Sequence, residues 1–202
     1  GAKQTNQVQD AVHTAISMTL CLGVVFTAVG ILFTPLMLQL MKMPENVMPD
    51  ATTYLRIYFS GAMGLMLYNI GSAILRSVGD SRRPFHFLVV CALLNILLDL
   101  VFVLVFRMGV AGVAWATILS QSISAVLVLL TLIRSDTCVK LSFQKLKFHW
   151  DIFTKIVRVG IPAAIQMAIT AFSNIFVQSY INFFGDNCMS GWTTHAKVDQ
   201  LL

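Results

Sequence analysis

The chain has 202 residues, of which 57% are hydrophobic and only 11% are charged. Soluble domains carry about 25% charged residues, so this composition excludes an ordinary water-solvated surface and favours lipid as the solvent. The formal net charge is +5, but the basic residues match no nucleic-acid-binding motif, which argues against nucleic acid as a partner.

Five apolar segments follow one another along the chain, and each exceeds the roughly 20 residues that cross a hydrocarbon core of about 30 Å. Because backbone groups in lipid must pair within their own segment, the sequence predicts helices. The predicted fold is therefore all-α, a polytopic transmembrane helix bundle. The segments cover residues 11–41, 51–75, 84–106, 109–133 and 160–184, and a sixth that begins near Trp192 is too short to span.

Three prolines refine these boundaries. Pro84 and Pro162 are predicted to lie in the first turns of their helices, where a missing N–H is harmless. Pro35 lies inside the first segment and predicts a kink there.

The distribution of Lys and Arg predicts the topology. If the N-terminal end is cytoplasmic and each segment crosses once, the outside loops hold only Lys42 and Arg107. The inside loops then hold ten basic residues, which are Lys3, Arg76, Arg82, Arg83, Arg134, Lys140, Lys145, Lys147, Lys155 and Arg158. This asymmetry predicts a cytoplasmic N-terminal end. The basic and aromatic stretch between the last two segments suits either the anionic headgroup layer of the membrane or a solvated linker.

Asp99 lies deep within the apolar run LLNILLDLVFVLVF. A carboxylate at this depth is costly unless it faces a cavity, a partner or an ion. Asn95 lies one helical turn earlier on the same face. The next connection is centred near Met108, and Thr117 follows it by as many residues as Asp99 precedes it. Both residues should therefore lie about 13 Å below the turn.

These three side chains allow three interpretations. Asn95, Asp99 and Thr117 offer amide, carboxylate and hydroxyl oxygens that suit a hard cation such as Na⁺. Alternatively, Asp99 binds a proton, because burial disfavours the charged carboxylate. The third interpretation is a structural hydrogen-bond network between helices that binds no ion.

Neutral polar side chains form two rows on later segments. One row extends from Thr117 to Gln121 and its neighbours, and the other has steps of four residues along the last segment. Such rows are typical of a water-accessible cavity that accepts varied substrates, or of ordinary hydrogen bonding between helices. The proposed cavity residues are Gln121, Gln166, Thr170, Asn174 and Gln178.

Cysteines and histidines are scattered without the spacing of metal ligands, which argues against a Cys–His metal site. The sequence holds no P-loop, no metalloprotease helix and no nucleophile–base arrangement, so we expect a protein that is not an enzyme.

The stretch from Ala73 to Ser124 resembles the MATE (multidrug and toxic compound extrusion) family. It contains AILRSVGDSRRP, NILLDLVFVL and GVAGVAWATILSQSISA, which are similar in order and spacing to the end of helix four, helix five and helix six of the family. The flanking segments are similar to helices three, seven and eight, so the resemblance covers nearly the whole chain. It implies a fragment of a two-lobe, twelve-helix transporter, with helices one, two and nine to twelve outside this sequence.

The resemblance assigns residues 1–133 to the amino-terminal lobe, 134–158 to a cytoplasmic connector between lobes, and 159–202 to the start of the carboxy-terminal lobe. It implies an antiporter of the plasma membrane that exports cationic or amphipathic organic compounds and is coupled to H⁺ or Na⁺, with no other cofactor. The family's amino-terminal cation site falls on Asn95, Asp99 and Thr117. Its usual acidic partner lies in a missing helix, and Thr170 stands where some branches carry Glu.

The expected partners are membrane lipid, small organic substrates and the missing helices of the same protein. Two alternatives remain. A lipid-linked saccharide flippase of the same broad superfamily would place Arg or Lys deep within the spans. A membrane scaffold that transports nothing would not need a carboxylate at mid-membrane.

Overall fold

The residues that the computed structural model describes are 2–40, 45–135, 138–142 and 148–183, and most of them are helical. Four helices are long and apolar enough to cross a membrane, and a bent pair adds a fifth candidate span. This confirms the predicted all-α transmembrane bundle. The helices are α1 (Ala2–Leu40), α2 (Met48–Ser60), α3 (Ala62–Ser77), α4 (Arg82–Leu100), α5 (Gly109–Arg134) and α6 (Trp150–Phe183).

The predicted span 51–75 is two helices rather than one. α2 and α3 meet at Gly61 with a bend of 43°. Gly61 is buried, and a Cβ atom there would collide with the side chain of Ile118 on α5. The break therefore lets the chain bend where another helix passes close to its backbone.

The end of α4 widens into a π-helical segment, Val101–Val105. There the N–H of Phe106 donates to the carbonyl of Val101 at 3.0 Å, and the N–H of Met108 donates to that of Phe102 at 3.0 Å. The hairpin then turns through Gly109, whose φ is +57°. Asp99 thus lies just before an irregular turn of backbone, a feature often found at functional sites.

The last predicted span begins earlier than expected. α6 starts at Trp150 instead of residue 160, and Pro162 lies inside the helix rather than at its start. Proline removes one backbone hydrogen bond, but membrane helices tolerate this. The described side chains from 158 to 174 are all exposed. The division of the chain into lobes and a connector stays a prediction.

The turn between α3 and α4 explains the VGDSRRP motif. The N–H groups of Gly79 and Asp80 donate to the carbonyls of Arg76 and Leu75, both at 3.0 Å, and Gly79 has a φ of +86°. This is the Schellman arrangement, in which glycine ends a helix at low cost. An Asp80 carboxylate oxygen then accepts the N–H of Arg83 at 3.2 Å, at the start of α4.

The chain divides into two units, Gly1–Phe153 and Thr154–Leu202. The core of the first unit joins α1, α3, α5 and the short stretch after α5. Its buried members are Val12, Ile16, Ile74, Leu75, Val128, Leu132, Val139 and Leu141. Close packing depends on small residues, since a Cβ atom at Gly71 would collide with Val128.

Residues 138–142 are held against this core by backbone hydrogen bonds. The N–H of Leu141 donates to the carbonyl of Leu132 at 3.1 Å, and the N–H of Ser142 donates to Nε2 of His13 at 3.1 Å. His13 is 3% exposed. Since its Nε2 accepts, the imidazole carries its proton on Nδ1 in this arrangement.

We predict that His13→Leu destabilises the complete protein by about 1–3 kcal/mol, because it leaves the Ser142 N–H without an acceptor. The apparent melting temperature in detergent measures this. His86→Leu is the matched control, because the His86 side chain is exposed and contacts the carbonyl of Arg82 within its own helix. Equal melting temperatures for the two variants would contradict the assigned role of His13.

Candidate cation site

Two polar side chains in the apolar part of α4, Asn95 and Asp99, carry atoms that lack hydrogen-bond partners among the described residues. Asn95 and Asp99 are half-buried. Within the part of the chain that the structure describes, Nδ2 of Asn95 and Oδ1 of Asp99 are buried and make no hydrogen bond. An unpaired buried polar atom costs about 1–3 kcal/mol, and more when it is charged. A ligand that engaged these atoms would recover that free energy.

Thr117 lies on α5 and is half-buried. Its hydroxyl donates to the carbonyl of Val113 at 2.9 Å. Because a hydroxyl group has one donor and two acceptor sites, its oxygen remains able to bind a cation or accept a hydrogen bond.

Two contacts fix how α4 and α5 align. The Ser124 hydroxyl donates to the carbonyl of Phe87 at 3.3 Å. Nearer the turn, a Cβ atom at Gly112 would lie 3.1 Å from the Cβ of Phe102, so this glycine permits close approach of the two segments. The two helices are therefore in close contact at both of these points, as small residues allow in membrane helices.

This alignment places Thr117 opposite the part of α4 that carries Asn95 and precedes Asp99. The two helices run antiparallel. Thr117 lies seven residues before Ser124, which contacts Phe87, so it is opposite position 94 on α4. Thr117 also lies five residues after Gly112, which contacts Phe102, and this count puts it opposite position 97. Asp99 is two to five residues further along α4, or about 3–8 Å at the helical rise. The hairpin brings all three residues to neighbouring levels, and no hydrogen bond joins these three described side chains.

The predicted cavity residues belong to two different units of the chain. Gln121 is half-buried on α5. On α6, Gln166, Thr170 and Asn174 line a shallow groove of about 440 Å³, and the Thr170 hydroxyl donates to the carbonyl of Gln166 at 3.0 Å. Gln178 belongs to α6, but its side chain lies outside the described residues.

Two serines close to Thr117 and Gln121 on α5 are buried and donate to backbone carbonyls. Ser120 and Ser124 are each 1% exposed. Ser120 donates to the carbonyl of Thr117 at 2.9 Å, and Ser124 bonds across to α4. Sequence analysis also missed Ser72, whose buried hydroxyl makes no hydrogen bond within the described residues. No local signal separates such a serine from an ordinary helical one.

Comparison with known proteins decides the family. The model of the family described as MatE matches residues 1–101, half of the chain. The chain belongs to the MATE family. It is 36% identical over 181 residues to the Bacillus subtilis (strain 168) protein named "Probable multidrug resistance protein YpnP", covering 90% of this chain and 40% of that relative.

Two solved structures of MATE-family multidrug-resistance transporters share this architecture. An outward-facing one is 27% identical with a TM-score of 0.80, covering 89% of this chain and 40% of that chain. An inward-facing one is 30% identical with a TM-score of 0.71, covering 78% and 36%. This MATE chain therefore spans less than half the length of these proteins. It is a multi-pass membrane protein.

We predict that Thr117→Val raises the cation concentration needed for half-maximal thermal stabilisation of the complete protein by about tenfold, the equivalent of about 1.4 kcal/mol. The titration is run with Na⁺ and, separately, by lowering the pH. Thr19→Val is the matched control, since it removes the same kind of bond to a helix carbonyl, 2.8 Å from Ala15. Indistinguishable titrations of the two variants would remove Thr117 from the site.

Proposed function

We propose that the complete protein is a cation-coupled antiporter, driven by H⁺ or Na⁺, that exports cationic or amphipathic organic compounds across the plasma membrane. The observation that carries this proposal is the unpartnered carboxylate oxygen of Asp99 inside an apolar membrane-spanning helix. A carboxylate at this depth marks an ion or proton pathway by default. The name of the Bacillus subtilis relative supports the multidrug class.

The proposed cycle begins when a cation reaches Asp99 and neutralises its charge. Na⁺ would take oxygens from Asp99, Asn95 and Thr117, whereas a proton needs only the carboxylate. Either ion removes the free-energy cost of an unpaired charge in a low-dielectric site. The hairpin arrangement that closes around the ion thereby becomes the more stable one.

The adjoining π-helical segment Val101–Val105 gives the hairpin a place to change shape. Its widened turn already departs from the α-helical hydrogen-bond pattern, so a shift there breaks fewer regular bonds than one within α4. The membrane potential contributes about 2.3 kcal/mol per charge per 100 mV, enough to bias such an equilibrium. A ligand shifts a conformational equilibrium only by its difference in affinity for the two states.

The substrate side of the proposal rests on neutral polar groups. The α6 groove offers the amides of Gln166 and Asn174 and the hydroxyl of Thr170 among Ala163, Met167 and Ala171. Amides and hydroxyls hydrogen-bond many compounds, and an apolar surround suits an amphipathic cation. We propose that helices outside this sequence complete the cavity on this groove.

The charge pattern favours the antiporter over a lipid-linked saccharide flippase. A flippase needs basic side chains deep in the membrane to hold an anionic phosphate. Between their ends, the described helices α4 and α5 carry Asp99 and no Lys or Arg. We further propose that the N-terminal end of the sequence is cytoplasmic, as the positive-inside rule indicates.

We predict that Asp99→Asn in the complete protein lowers gradient-driven efflux of a fluorescent cationic dye at least tenfold, because an amide can neither release a proton nor balance a cation charge. Efflux from vesicles is measured with Na⁺ and pH gradients imposed separately. The matched control is Asp50→Asn, an exposed aspartate in the first turn of α2.

The two gradients also separate the coupling ions. Dye efflux that follows one gradient in wild type and in the control, but not in Asp99→Asn, supports the proposal. Efflux by Asp99→Asn at the wild-type rate would refute the role of Asp99. A folded wild-type protein that exports no cationic dye under either gradient would favour the flippase or the scaffold.

A further inference from the structure

A groove of about 490 Å³ runs between α4 and α5 at the arginine-bearing end of the hairpin, far from the candidate cation site. Two arginines, one from each helix, contribute to its wall. The lining residues are Arg83, Phe87, Leu127, Leu130, Thr131 and Arg134. Basic, hydroxyl and apolar side chains thus share one continuous surface, and none of the proposed transport residues takes part in it.

The turn before α4 restrains the position of Arg83. Its backbone N–H donates to Asp80 at 3.2 Å, and its Nε lies 3.3 Å from the other carboxylate oxygen of the same residue. The contact engages only one of the five guanidinium donors. The two Nη groups keep four further N–H donors for another acceptor, and the Schellman turn at Gly79 holds the whole arrangement in place.

The surroundings of the groove are strongly positive. Among the described residues, the ends of α3, α4 and α5 carry Arg76, Arg82, Arg83 and Arg134, against one carboxylate from Asp80. Asp136, which follows α5 in the sequence, lies outside the described residues. Two guanidinium groups around one concave surface match the geometry of a phosphate group, since arginine donates in a planar fork. The charge is therefore complementary to an anion.

The rest of the lining is suited to a lipid rather than to a water-soluble anion. Phe87, Leu127 and Leu130 lie on the side of the arginines that leads toward the membrane interior, because they are nearer the middle of both helices. Thr131 donates to the carbonyl of Leu127 at 2.8 Å, and its oxygen can still accept from a headgroup hydroxyl. Phosphate, hydroxyl and acyl chain thus each meet a matching surface.

We propose that this groove binds the headgroup of an anionic phospholipid, with Arg83 and Arg134 holding its phosphate and the apolar residues holding the start of an acyl chain. Basic pockets between membrane helices bind such headgroups at the cytoplasmic side. The bound lipid would join the ends of α4 and α5 and neutralise the repulsion between their arginines.

The test is native mass spectrometry of the complete protein released from vesicles that contain equal amounts of phosphatidylcholine and phosphatidylglycerol. Wild type is expected to retain phosphatidylglycerol in preference to phosphatidylcholine. Arg83→Gln and Arg134→Gln are each expected to reduce the retained phosphatidylglycerol at least fivefold. Arg82→Gln is the matched control, because Arg82 is the exposed neighbour that does not line the groove.

Two further measurements distinguish lipid binding from a folding defect and from binding of free phosphate. Arg83→Lys retains the charge and should restore part of the binding, which a folding defect in Arg83→Gln would not predict. Inorganic phosphate added in detergent should leave the melting temperature unchanged, whereas phosphatidylglycerol should raise it. Equal lipid retention by wild type, Arg83→Gln and Arg134→Gln, or equal loss in Arg82→Gln, would overturn the proposal. So would a response to phosphate equal to the response to lipid.

Discussion

The burial of polar atoms in the middle of a hairpin constrains the rest of this structure. Lipid offers no hydrogen bonds to the carboxyl oxygen of Asp99 or to the amide of Asn95, and the described residues offer none to the unpaired atom of either group. The free energy of that burial must be recovered elsewhere, by tight packing of the helices, by a ligand or by both. The α4–α5 hairpin therefore combines its least satisfied atoms with some of its closest backbone contacts.

Small residues make those contacts possible. Gly112 admits Phe102 near the turn, and Ser124 bonds to the carbonyl of Phe87 further along. Gly61, between α2 and α3, and Gly71 of α3 allow close contact with α5. The side chains of Ile118 and Val128 of α5 occupy the space that a Cβ atom at these glycines would need. α2, α3 and α4 all pack against α5, so a change in the position of α5 would reach each of these helices.

The two ends of the hairpin have different chemistry. One end has the π-helical segment and the irregular turn at Gly109, which give it freedom to adjust. The other has Asp80 and Arg83 around a Schellman turn, together with residues 138–142, which are bonded to His13 and α5. One end of the hairpin is held by hydrogen bonds and the other can change conformation. This combination suits a helix pair that responds to an ion bound between its two helices. A phospholipid in the arginine groove would further strengthen the end that is held by hydrogen bonds.

Hydrophobic runs predicted the number and type of the spans, because lipid leaves an apolar segment of this length little choice but a helix. The same argument identified Asp99 and Asn95, since polar groups stand out in an apolar run. The break at Gly61 was missed because its cause is the side chain of Ile118, which is distant in sequence. The start of α6 was placed too late because Gly160 and Pro162 are local boundary signals that a membrane helix can override.

Distances along the chain proved less reliable than helix positions. Equal spacing from Met108 put Thr117 level with Asp99, whereas the contacts between α4 and α5 place Thr117 opposite positions 94–97, two to five residues before Asp99. The sequence also did not predict that His13 accepts a hydrogen bond inside the core, because its donor is the backbone N–H of Ser142, which is distant in sequence. Sequence patterns show which residues face lipid or protein, whereas register and tertiary partners depend on packing.

The most direct test of the central claim is infrared difference spectroscopy of the purified complete protein. Spectra are taken with and without Na⁺ at fixed pH, and at high and low pH without Na⁺. A cation site at Asp99 predicts a carboxyl band that changes with one of these two cations and is absent in Asp99→Asn. If the carboxyl bands of wild type and Asp99→Asn respond identically to both cations, Asp99 binds neither ion and the account is contradicted.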